Sequence, residues 1–487
     1  MGGERGVALA ALLGRLTDAR ISGDAQQLVT GIEIDSRTVR TGSLFVAVRG
    51  AQTDGHRYVR QAVANGARAV IVEDAAALPS GVTGVCVGDS KRALSAISAA
   101  FYGDPSGALT AIGVTGTNGK TTVTRMVASI LDEAGIACGV IGTVGAEFGS
   151  HVWPLQNTTP LPPELHALLA RMRDEGARAV ALEVSSHALA LERVEDVRFT
   201  VAALTNVTRD HLDFHQTVEA YAAAKRRLFS LAPACVLNVD DAYGARWALE
   251  LYREGREVVS YGIRYAAIVT PVEIAVEPHG SRFIVSGQRF EVRLPGRFNV
   301  WNGLAAIGVA RVLEIDDAVS ARGLAALERV SGRMERLSGN GLDVVIDYAH
   351  TPDALESALR SLRETSAGAV TVVFGCGGDR DRGKRAEMGS IAARLADRVY
   401  VTSDNPRSEE PRAIADAIVA GVGSRDHVVE LDRRLAIERA IAEARAGDVV
   451  LVAGKGHEGY QIVGDRVLQF DDVAIARAAL DLRGALR

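Results

Sequence analysis

Apolar and polar positions alternate along this chain with two periods. Near the start Leu9, Leu12, Leu13 and Leu16 recur at helical spacing, with Arg15, Asp18 and Arg20 close behind. That pattern predicts an amphipathic surface helix rather than the apolar core of a signal segment. Short apolar runs at 44–48 and 69–72 predict strands, and 57–64 predicts a helix stopped by Asn65-Gly66. Residues 102–107 concentrate chain breakers and read as a linker. Beyond it, apolar strands at 109–114, 179–184, 199–206 and 234–239 alternate with helical segments, the pattern of a parallel sheet covered by helices. Residues 268–294 switch to short alternating strands, predicting a small antiparallel excursion. A second breaker cluster, Ser338-Gly339-Asn340-Gly341, reads as another linker. After it, runs at 344–347, 370–374, 398–402 and 449–452 predict a further open α/β sheet. The expected fold class is therefore α/β, with domains over 1–108, 109–338 and 339–487.

Length agrees with this division, since 487 residues at ~100–200 per domain suggest about three domains. A net charge of −5 supplies no basic field for a phosphate backbone, so nucleic acid is not an expected partner. Cys86, Cys138, Cys235 and Cys376 form no CxxC pair, which argues against a disulfide framework or a cysteine-rich zinc site and for a reducing cytoplasm. No apolar run approaches the ~18–20 residues of a membrane span. The basic residues are lopsided. Of 55, only five are lysine: Lys91, Lys120, Lys225, Lys384 and Lys455. A chain that prefers arginine this strongly keeps lysine mainly where a compact point charge or a reactive amine is needed.

Candidate chemistry concentrates first at Gly113–Thr122, where an apolar strand runs into Gly116-Thr117-Asn118-Gly119-Lys120-Thr121-Thr122. A helix leaves it with Val123, Met126, Val127, Ile130, Leu131 and Ala134 on one face, ending at Gly135. Glycines let backbone N–H groups approach an anion, and the helix N-terminus adds partial positive charge. Lys120 suits the β- and γ-phosphates, and the Thr121 hydroxyl suits Mg²⁺. The strict G-x-x-x-x-G-K-[ST] form is missed, because position 114 is valine. Glu183 ends the next strand, facing the crevice where ligands bind in such sheets. His211, Asp213 and His215 cluster after another strand and by spacing alone would also suit a zinc hydrolase. Lys225 stands on the helix that follows, where a solvated face is the plain alternative.

Taken together, these segments resemble the ATP-dependent Mur ligases of peptidoglycan synthesis, which share their fold with folylpolyglutamate synthetase. The likeness covers essentially the whole chain. It includes the Thr115–Thr122 loop, Glu183–His187, Asn206–His211, Ala224-Lys225, Gly296–Asn302, Gly332–Arg336 and Asp347–Pro352. It implies a three-domain architecture: an N-terminal nucleotide-precursor domain, a central ATPase domain and a Rossmann-like C-terminal domain. The implied reaction forms an amide through an acyl phosphate, with ATP and two Mg²⁺ ions. Lys120, Glu183, His211 and Lys225 would be catalytic. Gly116 to Thr122, Asn302, Arg336 and Asp347 would bind ATP. Thr121 and Glu183 would hold one ion; His211 and Lys225 the other, with Lys225 carbamylated by CO₂, since an ammonium cannot ligate a cation.

The same likeness places a UDP-muramoyl dipeptide at Ile34, Ser36, Gln52, Asn157, Thr158, Thr159, Ser185 and Arg193. Family members often carry glutamine at the position of Leu191, and leucine cannot supply that hydrogen bond. Asp404-Asn405-Pro406-Arg407 resembles the four residues that mark diaminopimelate-adding members as distinct from lysine-adding ones. Arg380, Gly454 and Glu458 would complete that pocket. Planar arginines at 380 and 407 suit a carboxylate, and Glu458 an ammonium. The expected partners are small molecules, with no membrane span, in a cytoplasmic monomer. The rival readings are a lysine-adding or folylpolyglutamate-type ligase, a metal hydrolase on His211, Asp213 and His215, and a nucleotide-binding regulator.

Overall fold

The structure, a computed structural model, describes residues 6–50 and 53–485; Gln52 lies outside the described residues. The chain divides into two compact units. One comprises Met1–Gly113, Ile136–Ala202 and Arg227–Pro233; the other comprises Val114–Gly135, Ala203–Arg226 and Ala234–Arg487.

In the first unit a five-stranded sheet has the order Arg20–Ser22, Thr83–Cys86, Ala69–Val72, Ser43–Val46, Gly31–Glu33. Its last four strands are parallel and the first is antiparallel. Ser43–Val46 and Ala69–Val72 are buried along their whole length, as apolar runs covered on both faces should be. The amphipathic helix forms over Leu9–Leu13, and Leu9, Leu12 and Leu13 join that core. The helix expected over 57–64 is α-helical only from Val59 to Ala64. The Asp54 carboxylate accepts the His56 N–H and starts a tighter 3₁₀ turn, Gly55–Tyr58, ahead of it. At 102–107, Asp104 takes a left-handed φ of 49° before a 3₁₀ turn over Pro105–Ala108. Further on, Cys138–Gly142 and Ala179–Glu183 pair in parallel, and Gly145–Phe148 and His151–Trp153 extend them as an antiparallel meander.

In the second unit helix Lys120–Glu133 packs on helix Phe298–Val312. Strands Ala234–Asn238 and Glu257–Tyr261 run parallel. The antiparallel excursion is present as Pro271–Glu277, Gly280–Val285 and Gln288–Val292, with Phe283 stacked on Phe290 across the pair. A six-stranded sheet follows in the order Glu335–Gly339, Leu342–Asp347, Val449–Ala453, Val370–Phe374, Arg398–Val401, His427–Val429. Val370, Val372 and Phe374 face one buried helix layer and Val373 faces the other, the two-residue alternation of a strand covered on both sides.

The Ser338–Gly341 segment is not a linker. Asn340 and Gly341 take positive φ, 53° and 73°, and turn a hairpin whose strands pair Glu335 with Ile346 through Gly339 with Leu342. Left-handed Asn-Gly is the chemistry of a two-residue hairpin turn. The sheet therefore begins at Glu335, ahead of the expected boundary. Among the described residues no helix is long and apolar enough to cross a membrane.

Candidate active site

Strand Thr110–Thr115 delivers the glycine loop, and helix Lys120–Glu133 leaves it with Gly119 at its N-cap. Gly116 has φ 150°, and a Cβ there would stand 1.8 Å from Thr205 Oγ1; at Gly119 (φ 89°) it would stand 2.5 Å from Asn302 Oδ1. The loop is thus a cradle that only glycine fits. Its shape is held from 205–208. Thr205 Oγ1 donates to the Asn118 carbonyl (2.6 Å), Asn206 Oδ1 accepts the Asn118 N–H (3.0 Å), and Thr208 N–H donates to Thr117 Oγ1 (2.9 Å). Thr121 and Thr122 are buried. These residues fit a nucleotide polyphosphate with its Mg²⁺: a helix N-terminus, a lysine and a threonine hydroxyl meet at a cradle too tight for a Cβ.

Two lysines converge on one oxygen. Lys120 Nζ donates to the carbonyls of Gly116 (2.9 Å) and Thr117 (3.0 Å), and Lys225 Nζ donates to the same Gly116 carbonyl at 2.7 Å. Lys225, on helix Val218–Arg226, is 1% exposed, with Nζ 4.4 Å from the centre of the Tyr221 ring. Burial, then the charge of Lys120, drive its amine well below the ordinary lysine range, against the pull of Asp210. His211 lies against the same Tyr221 ring, 6.3 Å between centroids, with Nε2 3.4 Å from Asp210 Oδ2. Burial would raise the Asp210 carboxyl, but His211, His350 and Lys384 outweigh it and hold it low. His215 is buried edge-on to Tyr221 rather than directed with His211 at a common point. Among the described residues no group of three or more His, Cys, Asp or Glu is disposed to hold a metal, so the hydrolase arrangement is absent there.

The residues that follow the glycine-loop helix in space were mostly not foreseen. Arg333 Nη2 donates to Thr121 Oγ1 (3.0 Å), and its guanidinium lies 4.5 Å over the Tyr348 ring. Asp353 accepts from Asn118 Nδ2 at 2.8 Å. Lys384 Nζ donates to the His350 carbonyl at 2.8 Å. Of the expected ATP contacts in this part, Asn302 lies at the cradle. Asp347 accepts the Met334 N–H (2.7 Å), and burial raises its carboxyl against the pull of Arg333. Arg336 is turned to the Pro278 carbonyl (3.0 Å) and Asp343 (3.5 Å).

A second cluster in this unit gathers the expected amino-acid residues. Arg407, at φ 53°, donates Nη1–H to the Gly378 carbonyl at 2.8 Å. A Cβ on Gly378 would meet the Pro406 carbonyl at 1.9 Å, and one on Gly454 would meet Asp404 Oδ2 at 2.5 Å. Asn405 Nδ2 donates to Glu458 Oε2 (3.0 Å), whose Oε1 accepts from Tyr348 Oη (3.3 Å). Arg380 donates to the Asp379 carbonyl at 3.0 Å. Burial, then Asp404, raise the Glu458 carboxyl, opposed by Lys455. Cations and carboxylates so arranged suit a zwitterionic ligand.

The first unit assembles a third group. Glu183, 1% exposed, accepts the Thr143 N–H on Oε1 and the Thr143 hydroxyl on Oε2, both at 2.9 Å. Thr158 Oγ1 lies 3.2 Å from that hydroxyl. Thr159 Oγ1 bonds the Glu183 carbonyl (2.9 Å), Ser185 N–H donates to Thr159 Oγ1 (3.0 Å), and Arg193 Nη1 donates to the Thr159 carbonyl (2.9 Å). Burial lowers the Arg193 guanidinium below its ordinary range. Asn157 is half-buried beside them. Elsewhere in the unit Ser36 Oγ donates to Gln61 Oε1 (3.0 Å), and Ile34 packs on the five-stranded sheet's core.

Three family models match this chain: the Mur ligase middle domain over residues 114–310, the Mur ligase glutamate ligase domain over 332–456, and the Mur ligase family catalytic domain over 28–102. The UDP-N-acetylmuramoyl-L-alanyl-D-glutamate–2,6-diaminopimelate ligase of Chlorobaculum tepidum is 46% identical over 470 residues, covering 93% of this chain and 92% of its own. That of Geobacillus thermodenitrificans is 43% identical, covering 98% and 99%. A solved structure of a ligase of that name matches with TM-score 0.70 and 33% identity over 99% of this chain and 100% of its own. The MurF ligase of Thermotoga maritima, solved in complex with ADP, shares the fold with TM-score 0.63 and 20% identity, covering 93% and 98%.

Proposed function

Because this chain belongs to the Mur ligase family, we infer that it joins meso-diaminopimelate to UDP-N-acetylmuramoyl-L-alanyl-D-glutamate, converting ATP to ADP and phosphate, in peptidoglycan precursor synthesis. The observation that carries this reading is the cluster of Arg407, Asn405 and Glu458 in the same compact unit as the glycine loop. The substrates are small molecules, and the reading places the enzyme in the cytoplasm as a monomer. Its three domains divide over about 1–108, 109–338 and 339–487, adjusted for the hairpin at 335–347.

A carboxylate has no adequate leaving group. One of its oxygens therefore attacks the γ-phosphorus, ADP departs, and the amine of diaminopimelate then attacks the acyl carbon. Phosphate leaves and the nitrogen sheds its proton. Lys120 and the N–H groups of the loop steady the charge on the transferring phosphoryl. Two Mg²⁺ ions, one held by Thr121 and Glu183 and the other by His211 and modified Lys225, would supply the remaining charge neutralisation. Asn157, Thr158, Thr159, Ser185 and Arg193 receive the acceptor peptide, with Ile34, Ser36 and Gln52 toward its uridine end. Asn302, Arg336 and Asp347 take the adenosine.

Carbamylation of Lys225 is supported by its surroundings. Burial, then the charge of Lys120, push the amine well below the ordinary lysine range, toward the neutral form that adds CO₂ and releases a proton. A carbamate would also set an anion fit for a cation where the amine now stands. Stripping CO₂ from the buffer is expected to lower the rate several-fold, with recovery on adding bicarbonate. Lys225→Arg is expected to stay inactive under both conditions. Equal rates with and without bicarbonate would remove this part of the reading.

Selection of the amino acid follows from its far end. Diaminopimelate carries a second ammonium–carboxylate pair there, and lysine a bare ammonium. Arg407 and Arg380 grip the carboxylate while Glu458 meets the ammonium; with lysine the guanidinium would lose its partner. The test is a product assay by mass with the dipeptide nucleotide, ATP, Mg²⁺ and each of diaminopimelate, lysine and glutamate. Diaminopimelate alone should give product efficiently. Arg407→Ala is expected to cut the preference for diaminopimelate over lysine by on the order of 10²-fold or more. Unchanged preference would refute the role of Arg407.

A further inference from the structure

Lys455 is fully buried, and the mechanism above does not use it. It lies in Gly454-Lys455-Gly456, where both glycines have positive φ, 117° and 54°, so the backbone turns the lysine inward, under the amino-acid cluster. Its Nζ donates to Asn405 Oδ1 (2.9 Å) and to the Tyr460 carbonyl (2.7 Å), and stands 3.7 Å from Glu458 Oε2. The Ile462 N–H donates to the same Asn405 oxygen at 2.9 Å.

These contacts decide an orientation. An asparagine amide can be turned either way round, with its oxygen and nitrogen exchanged. An ammonium and a backbone N–H are both donors only, so the side of Asn405 that faces them must be its oxygen. The amide nitrogen then faces Glu458 and donates to Oε2, while Tyr348 Oη donates to Oε1. Turned the other way, the amide would bring its oxygen against the carboxylate and its N–H groups against the ammonium. Pinned at both oxygens, the Glu458 carboxylate keeps one rotamer and still has a lone pair on each oxygen for an incoming ammonium. Lys455 also offsets the burial that raises the Glu458 carboxyl.

We propose that Lys455 is a positioning residue for amino-acid selection, which fixes the Asn405 amide and through it holds Glu458 as the acceptor for the distal ammonium of the substrate. The proposal rests on the diaminopimelate reading given above.

The test is steady-state kinetics on the full-length enzyme with Lys455→Met, Lys455→Gln, Asn405→Ala and the double variant Lys455→Met/Asn405→Ala, each checked by thermal melting. Lys455→Met is expected to raise KM for diaminopimelate on the order of 10- to 100-fold, the cost of losing a buried charged donor, with KM for ATP within about threefold. Lys455→Gln retains an N–H donor toward Asn405 and should recover most of the loss. In the Asn405→Ala background, Lys455→Met should add less than about threefold, because its hydrogen-bonded route to Glu458 is already gone and only the longer 3.7 Å approach remains. The proposal is overturned by an unchanged KM for diaminopimelate, by a glutamine variant no better than the methionine one, or by losses that multiply in the double variant. Should the methionine variant fail to fold, Asn405→Ala alone decides, since it removes the link from Lys455 to Glu458 and an unchanged KM for diaminopimelate there overturns the proposal. Wild-type enzyme that makes no product with diaminopimelate would instead sink the reading beneath the proposal.

Discussion

An alanine at Lys120 is expected to lower both ADP release and amide formation by on the order of 10³-fold, the largest loss from any single change in the loop. The reason is the scarcity of positive charge there. Lys225 also donates to the Gly116 carbonyl, but burial and the charge of Lys120 push its amine well below the ordinary lysine range, which makes it the poorer source of positive charge. The loop itself should survive the change. The Gly116 carbonyl retains Lys225, and Asn118 and Thr117 retain Thr205, Asn206 and Thr208. Lys120→Arg should not restore activity, since a broad guanidinium cannot settle on the two adjacent carbonyls at 2.9 and 3.0 Å that the ammonium now bridges. Quantifying ADP and product alongside the melting temperature separates chemistry from folding. A loss below about tenfold would show that the loop does not carry the phosphoryl transfer.

The second large effect is on stability. Arg433 and Asp472 are both completely buried and paired twice, at 2.9 and 2.7 Å. Arg433 also donates to the Ala453 carbonyl at 3.0 Å and the Ser403 carbonyl at 3.4 Å. Burial disfavours its charge, and Asp472 more than compensates. Arg433→Ala leaves a carboxylate in the interior without a counter-ion, and should destabilise the fold by about 3–5 kcal/mol. For a cooperative unit of this size that is a fall of about 10 °C in Tm, read by circular dichroism. The paired change Arg433→Met with Asp472→Leu should cost far less, since both charges go together. A single variant that melts within about 2 °C of wild type would disprove the account.

Much of the fold could be read from residue pattern alone, where one period persisted. Helix Lys120–Glu133 follows the apolar face from Val123 to Leu131 and ends where Gly135 takes φ 74°. The buried strands of the six-stranded sheet stand out as uninterrupted apolar runs because helices cover both faces. Asn340-Gly341 was legible too, but as a breaker it suggested a linker; only the alternation of Leu337, Leu342 and Val344 around it identifies a hairpin. At the sites, the resemblance assigns Asn405 and Glu458 to one pocket and the structure has them hydrogen-bonded, whereas the resemblance assigns Glu183 apart from Thr158 and Thr159, beside which the structure sets it. The partners of Arg333, Asp353 and Lys384 are not legible in the sequence, for a physical reason. Each reaches its partner across a long stretch of chain, Arg333 to Thr121 and Asp353 to Asn118, and no local spacing encodes such an encounter.

The Arg333–Thr121 hydrogen bond has a consequence for the order of events. A threonine oxygen that accepts from a guanidinium lies beside a positive charge, which is the wrong neighbour for a divalent ion. For Thr121 to hold the ion in the reading proposed above, Arg333 would first have to give up this hydrogen bond. Loading of the loop and release of Arg333 from it become one exchange of counter-charges, so whatever loosens the arginine's stacking on Tyr348 should hasten nucleotide uptake.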